Sequence, residues 1–235
     1  MAEQDTTMIL ADLRRSDRPV SGLSESFLAA FPVAGVALST VGDLLGSETL
    51  AASNDVSRHV DELQFDLGEG PCWEAIATVR PVYADRLERD GAVKWPAFTQ
   101  AAVATGVISL FAFPLFVGPL RFGAIDMYSD RPVSLGRGHR ELAVAMAQVV
   151  SRRVLDSALS SIDSVEMPDS PFSRRIVHQA TGMVFAQLGL SMDDSRLVIH
   201  GHAFAHDLSV MDVAQRVIDG ELAFAATDSG IQELE

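Results

Sequence analysis

The chain has 235 residues, 48% of them hydrophobic and 21% charged, with a formal net charge of −14. This balance predicts one or two folded domains with ample material for a core, and it excludes a disordered chain. The acidity repels nucleic acid over most of the surface, so any nucleic-acid site has to be a local patch, and a single cysteine, Cys72, excludes an internal disulfide framework.

No apolar run reaches the roughly 18–20 residues that span a bilayer. The opening "MAEQDTTMILADLRRSDRP" is too acidic and too mixed for a secretory signal. The expected location is the cytoplasm. In chain order, an N-terminal segment with helical character (1–20) leads through the turn-rich "RRSDRPVSG" (14–22). "LSESFLAAF" (23–31) predicts a short helix and "VAGVALST" (33–40) a strand that pairs with "ETLAASND" (48–55) across the Gly42–Gly46 turn. A helical or loop segment follows and ends at Pro81, and "PVYADRL" (81–87) predicts another strand. "VISLFAFPLFVGPLRFGAIDMYS" (107–129) predicts an antiparallel hairpin around Gly118–Pro119.

From Gly138 to Ile162 the period becomes helical, with Leu142, Met146 and Val149 on one face and Leu155, Leu159 and Ile162 extending an apolar stripe. The stripe serves either a dimer contact or packing on the chain's own sheet. "SVEMPDSP" (164–171) is a polar, proline-bearing break and the expected boundary. Beyond it three helices are expected, and the chain reads as helical to near its end. The first is capped by Ser170 or Ser173 and stops at Gly189, and the others start after Ser191 and Ser209. The expected class is α+β followed by an all-α three-helix bundle, with domains at 21–163 and 172–235.

The segments "ELQFDLGEGPCWEAI" (62–76), "KWPAF" (94–98), "GVISLFAFPL" (106–115) and "LRFGAIDMYSD" (120–130) together resemble a GAF domain over roughly residues 21–160. The resemblance implies an antiparallel sheet flanked by helices, with a small-molecule pocket on one face. Gly68 and Gly70 allow a tight turn before a helix led by Pro71, whose exposed N–H groups can hold an anionic ligand group. The glycines can equally serve backbone geometry alone. Cys72 is either a thiol activated by that helix start or a buried, inert one. A lone cysteine argues against the several-cysteine sulfoxide chemistry of some GAF-like enzymes, and no phosphate loop, zinc signature or nucleophile elbow is present. No enzyme activity and no cofactor are expected.

"RRIVHQATGMVFAQLGLSMDDSRLVIHGHAFAHDLSVMDVAQRVI" (174–218) resembles an ANTAR domain, the three-helix RNA-binding module of bacterial transcription antiterminators. The resemblance implies a GAF–ANTAR regulator, dimeric and responsive to a signal, that binds RNA stem-loops in nascent transcripts to cause antitermination. The candidate RNA contacts are Arg174, Arg175, Thr181, Arg196 and His200. His200 stands where the family commonly has arginine, and residues 173–218 carry four arginines against four aspartates. That neutrality supports an alternative, a ligand-sensing protein that acts through protein contacts.

The stretch "HQATGMVFAQLG" (178–189) sets Thr181 and Gly182 in mid-helix, where glycine costs about 1 kcal/mol relative to alanine. Close packing of a neighbouring helix is the expected reason for Gly182. His202 and His206 share a helix face at i, i+4, a spacing zinc can use, and Asp207 can offer an oxygen, but no Cys or Glu lies near enough in sequence to complete the usual set, and no metal site is expected. Receiver-type phosphorylation is excluded because the only lysine, Lys94, lies inside "KWPAF".

Overall fold

Strand β4 (Ser109–Val117) and strand β5 (Leu120–Ser129) form the hairpin at the centre of the first unit, joined through the Val117–Leu120 pair. Both strands are buried over most of their length, which is why "SLFAFPLF" reads as one apolar run and not as an alternation. The computed structural model describes residues 3–15, 19–42, 45–162, 175–206, 208–227 and 230–234. The chain divides into two compact units, Met1–Phe172 and Ser173–Glu235.

Around the hairpin, β1 (Gly35–Thr40), β2 (Glu48–Ala52) and β3 (Val82–Ala84) complete an antiparallel sheet of order β2-β1-β5-β4-β3. β3 covers only residues 110–112 of β4. Beyond them β4 is an edge, which accommodates Pro114, and the Phe116 N–H is satisfied by Ser151 Oγ at 3.1 Å. One sheet face carries Phe111, Phe113, Ile125 and Met127 against α1 (Glu3–Leu13), α2 (Leu23–Ala30) and α7 (Arg137–Ile162). Of the expected stripe, Leu142 and Met146 are buried there, beside Val150 and Val154, and Val149 and Leu155 pack against this core partly buried. Leu159, beyond it, is exposed. The opposite face carries Leu110, Ala112 and Tyr128 under α3 (Asp55–Leu67), α4 (Pro71–Thr78), α5 (Leu87–Gly91) and α6 (Pro96–Ala104). Among the described residues no helix is long and apolar enough to cross a membrane.

In the second unit α8 (Arg175–Leu188), α9 (Met192–Ala205) and α10 (Val210–Ile218) bury Val177, Ala180, Val184, Ile199, Ala203, Val213 and Val217. Ser191 and Ser209 cap α9 and α10 by accepting the N–H groups of Asp194 and Asp212, and Gly189, with φ of 65°, ends α8. The linker 164–171 and the cap candidates Ser170 and Ser173 lie outside the described residues.

Two expectations are corrected here. The chain does not stay helical, because β6 (Ala223–Thr227) and β7 (Gly230–Leu234) pair as a terminal hairpin. β6 packs on α8, and the Phe224 N–H is held by Gln187 Oε1 at 3.0 Å. Nor does Gly182 serve internal packing, since a Cβ built there meets no atom within 4 Å. The small residue that packs is its neighbour Ala180, fully buried. Gly182→Ala is therefore expected to stabilise the second unit by roughly 0.5–1 kcal/mol, the helix-propensity difference, with no overpacking penalty. A thermal or urea melt in which the alanine variant is less stable than the parent would refute this.

Candidate functional site

On the α3–α6 face of the first unit, three helix segments converge on one side chain. Asn54 caps α3 through a capping box with Ser57, which fixes where the helix starts. Three turns later Gln64, 1% exposed, points into the sheet. Its Nε2 donates to Asp126 Oδ2 at 2.7 Å, and its Oε1 accepts the Cys72 N–H at 2.7 Å. Its main-chain oxygen accepts Trp73 Nε1 at 2.6 Å. Gln64 thus joins α3, the first turn of α4 and strand β5.

The chain between α3 and α4 is shaped for this. Gly68 closes α3 in the left-handed region, and Gly70, with φ of 135°, passes so close to Gln64 that a Cβ would lie 2.6 Å from Oε1. Glu69 Oε1 accepts the Phe98 N–H at 2.8 Å, and Glu74 holds Lys94 Nζ at 3.0 Å. These contacts bring the 62–76 and 94–98 motifs together in space.

Asp126 is the chemically unusual group. It is buried, and its Oδ1 has no hydrogen-bond partner among the described residues. Asp61, also buried, accepts Thr49 Oγ1 at 2.6 Å on the same side of the sheet. Burial first, and then the Asp61 carboxylate, push the Asp126 carboxyl well above the usual carboxylate range, while the Gln64 hydrogen bond acts the other way. Sequence reading missed Asp126, Asp61 and Gln64. The one signal was an aspartate inside the apolar run "FGAIDMYS".

The sequence-derived residues distribute as follows. Cys72 is buried, 2% exposed, and its amide is already taken by Gln64, so neither an accessible thiol nor an open anion-binding N–H exists at that position. Gly68 and Gly70 shape the turn, and Gly70 makes room for Gln64. Thr181 is corrected as an RNA contact. It is 5% exposed and its hydroxyl donates to the Val177 carbonyl at 2.7 Å, one turn back in α8. Arg196 is exposed and His200 half-buried on α9. Arg174 lies outside the described residues, as does the side chain of Arg175. Of the five proposed RNA contacts, the described side chains are thus Arg196 and His200 on α9 and Thr181 in the core.

The Asp126 proton has a consequence for stability. The folded chain holds it at pH values where the unfolded chain has released it. Its contribution is complete below the unfolded value, near pH ~4, and is lost as pH rises toward the elevated folded value. Asp126→Asn keeps an acceptor for Gln64 and is expected to flatten that decline and to melt higher than the parent at pH 7. Melts between pH 4.5 and 7.5 decide it, and a lower melting point at pH 7 would contradict it. Gly70→Ala drives a methyl into Gln64 and is expected to destabilise the first unit by about 1–3 kcal/mol.

Residues 20–154 match the GAF domain family. Among solved structures, the GAF domain of a phosphoenolpyruvate-protein phosphotransferase from Coxiella burnetii is 13% identical, with a TM-score of 0.55 over 68% of this chain and 98% of that one. The corresponding GAF domain from Acinetobacter is 10% identical, with a TM-score of 0.50 over 72% of this chain and 100% of that one. The chromophore-binding domain of an R. palustris bacteriophytochrome is 10% identical, with a TM-score of 0.51 over 68% and 61%. At these identities the likeness is one of fold alone. No curated protein matches the chain. The family match ends at residue 154, so the antiterminator resemblance of 174–218 rests on its own motif.

Proposed function

This chain belongs to the GAF domain family, and from that premise we propose that it is a sensory regulator whose second unit binds RNA. In this reading a small molecule is sensed by the first unit, at the Gln64–Asp126 cluster. The second unit binds stem-loops of nascent transcripts and causes antitermination. The protein acts in the cytoplasm as a homodimer, regulating and not catalysing.

The observation that carries the reading is Gly182. A mid-helix glycine costs about 1 kcal/mol, and nothing inside the fold compensates for it at this position, because the space where a Cβ would stand is open. A bare helix backbone at the surface suits a partner that approaches it closely. RNA read by shape and phosphates is such a partner, and exposed Arg196 offers a cation on the neighbouring helix. Thr181 plays no part in this contact, since its hydroxyl is buried.

A mobility-shift titration of the full chain against a paired stem-loop RNA tests the proposal. Binding is expected to weaken in Gly182→Ala even though that variant is more stable. Arg196→Ala is expected to lower the salt slope by about one counterion. No shift at roughly 50 mM salt would sink the RNA reading.

A second reading, output through protein contacts, is favoured by Leu197 and Phe204. They lie seven residues apart on one face of α9 and are 65% and 74% exposed. Together with the neutral charge balance of residues 173–218, they offer an apolar surface in place of a basic one.

A further inference from the structure

The terminal hairpin brings a carboxylate to the pair of histidines that share a face of α9. Glu233 Oε2 lies 3.3 Å from His202 Nδ1 and 3.9 Å from His206 Nε2. One ligand atom from each of the three residues falls within 4.8 Å of the others. The two imidazoles stack with centroids 4.1 Å apart at 24°, and Phe224 of β6 meets the His202 ring edge-on at 5.5 Å. We propose that His202, His206 and Glu233 form a binding site for a borderline divalent transition metal, zinc above all.

Several features fit a metal better than an ordinary ion pair. His206 Nδ1 lies 2.9 Å from the His202 carbonyl oxygen, an acceptor only, so this nitrogen carries the proton. That fixes the tautomer and leaves the Nε2 lone pair directed toward Glu233, the orientation that a metal-binding imidazole needs. His202 is 9% exposed, and its Nε2 is buried without a hydrogen-bond partner among the described residues, leaving Nδ1 as the nitrogen that faces the cluster.

A tetrahedral set with bonds of about 2.0–2.1 Å separates its ligand atoms by about 3.3–3.4 Å. The two carboxylate–imidazole separations, 3.3 and 3.9 Å, lie close to that value, and all three ligand atoms stay within 4.8 Å of one another. Two nitrogens and one carboxylate suit zinc, whereas magnesium and calcium prefer all-oxygen sets.

The cluster borders an open groove of about 560 Å³, lined also by Val198, Ala205 and Ile231. With three protein ligands the fourth position faces this groove, where water or a small anionic group can enter. A bound ion would also tie β7 to α9, two elements that otherwise meet here mainly through these side chains.

The experiment is a zinc titration of the full chain, freed of metal by chelation, with metal content measured after dialysis and hydrogen exchange followed at residues 230–234. One zinc per chain is expected, with slower exchange in the hairpin when it is bound. His206→Ala and Glu233→Gln are each expected to weaken zinc at least tenfold. Both positions are about half exposed, so the variants should keep the parent's circular dichroism, and His206→Gln serves if the alanine variant does not. Replacing His59, His139 and Cys72 of the first unit together is expected to leave the affinity unchanged. Failure to bind at tens of micromolar zinc, affinity unchanged in the His206 and Glu233 variants, or a preference for magnesium over zinc would each overturn the site.

Discussion

The hydrogen-bonded amide of Gln64 is the constraint on which the α3–α6 face of the first unit depends. Its two ends have opposite needs. The Nε2 donates to Asp126, buried in the central strand, and the Oε1 caps the first turn of α4 through Cys72. Each partner is buried, and each would leave a polar group unsatisfied if the amide moved away, a penalty of about 1–3 kcal/mol apiece. The glycine at 70 follows from this placement, because any side chain there would occupy the amide's position. The start of α4 is therefore not a free anion cradle, despite its glycines and Pro71. The structure has already filled it with a neutral acceptor of its own.

A buried carboxyl beside a second one is a costly arrangement, and it lies on the sheet face covered by the shorter helices. The opposite face, under α7, is an unbroken apolar layer of Phe111, Phe113, Ile125 and Met127. The two faces thus differ in character. One is wholly apolar, and the other carries the buried polar groups Gln64 and Asp126. Small strand residues such as Ala37, Ala112 and Ala124 leave the second face shallow enough for Asp126 and Gln64 to meet.

The second unit has a different economy. Its helical core is made mostly of small and β-branched residues, with Leu222 and Phe224 beside them, while the large apolar side chains Phe185, Leu197 and Phe204 stand at the surface. Gly182 and Gly201 interrupt good helices with no internal contact in return. Such features reduce stability without serving the fold, and they fit a surface shaped for something outside the chain. The hairpin after α10 adds a lid of two strands, and it sets a carboxylate from the end of the chain against a histidine pair on α9.

The sequence by itself determined the elements governed by local rules. The apolar runs of β4 and β5 around Gly118–Pro119, the serine caps of α9 and α10, the Gly189 stop and the 138–162 helix all appear where their patterns put them. The family resemblance of residues 21–160 was legible because four motifs keep a fixed spacing. In the structure, contacts between Glu69 and Phe98 and between Glu74 and Lys94 join two of those motifs. The short helices α5 and α6 carry little periodicity in five and nine residues, so they were not visible. The hairpin β6–β7 was missed because alanine-rich "AFAAT" favours helix, and its pairing with β7 and packing on α8 make it a strand. Tertiary structure alone decided which polar groups meet. Gln64 and Asp126 are 62 residues apart, and Glu233 lies far beyond the histidines it faces. It also reversed the roles read into neighbouring residues of α8. A helix turns about 100° per residue, so Ala180 and Thr181 enter the core while Gly182 remains at its edge. Which neighbour faces which way depends on where the other helices lie, and no local pattern records that.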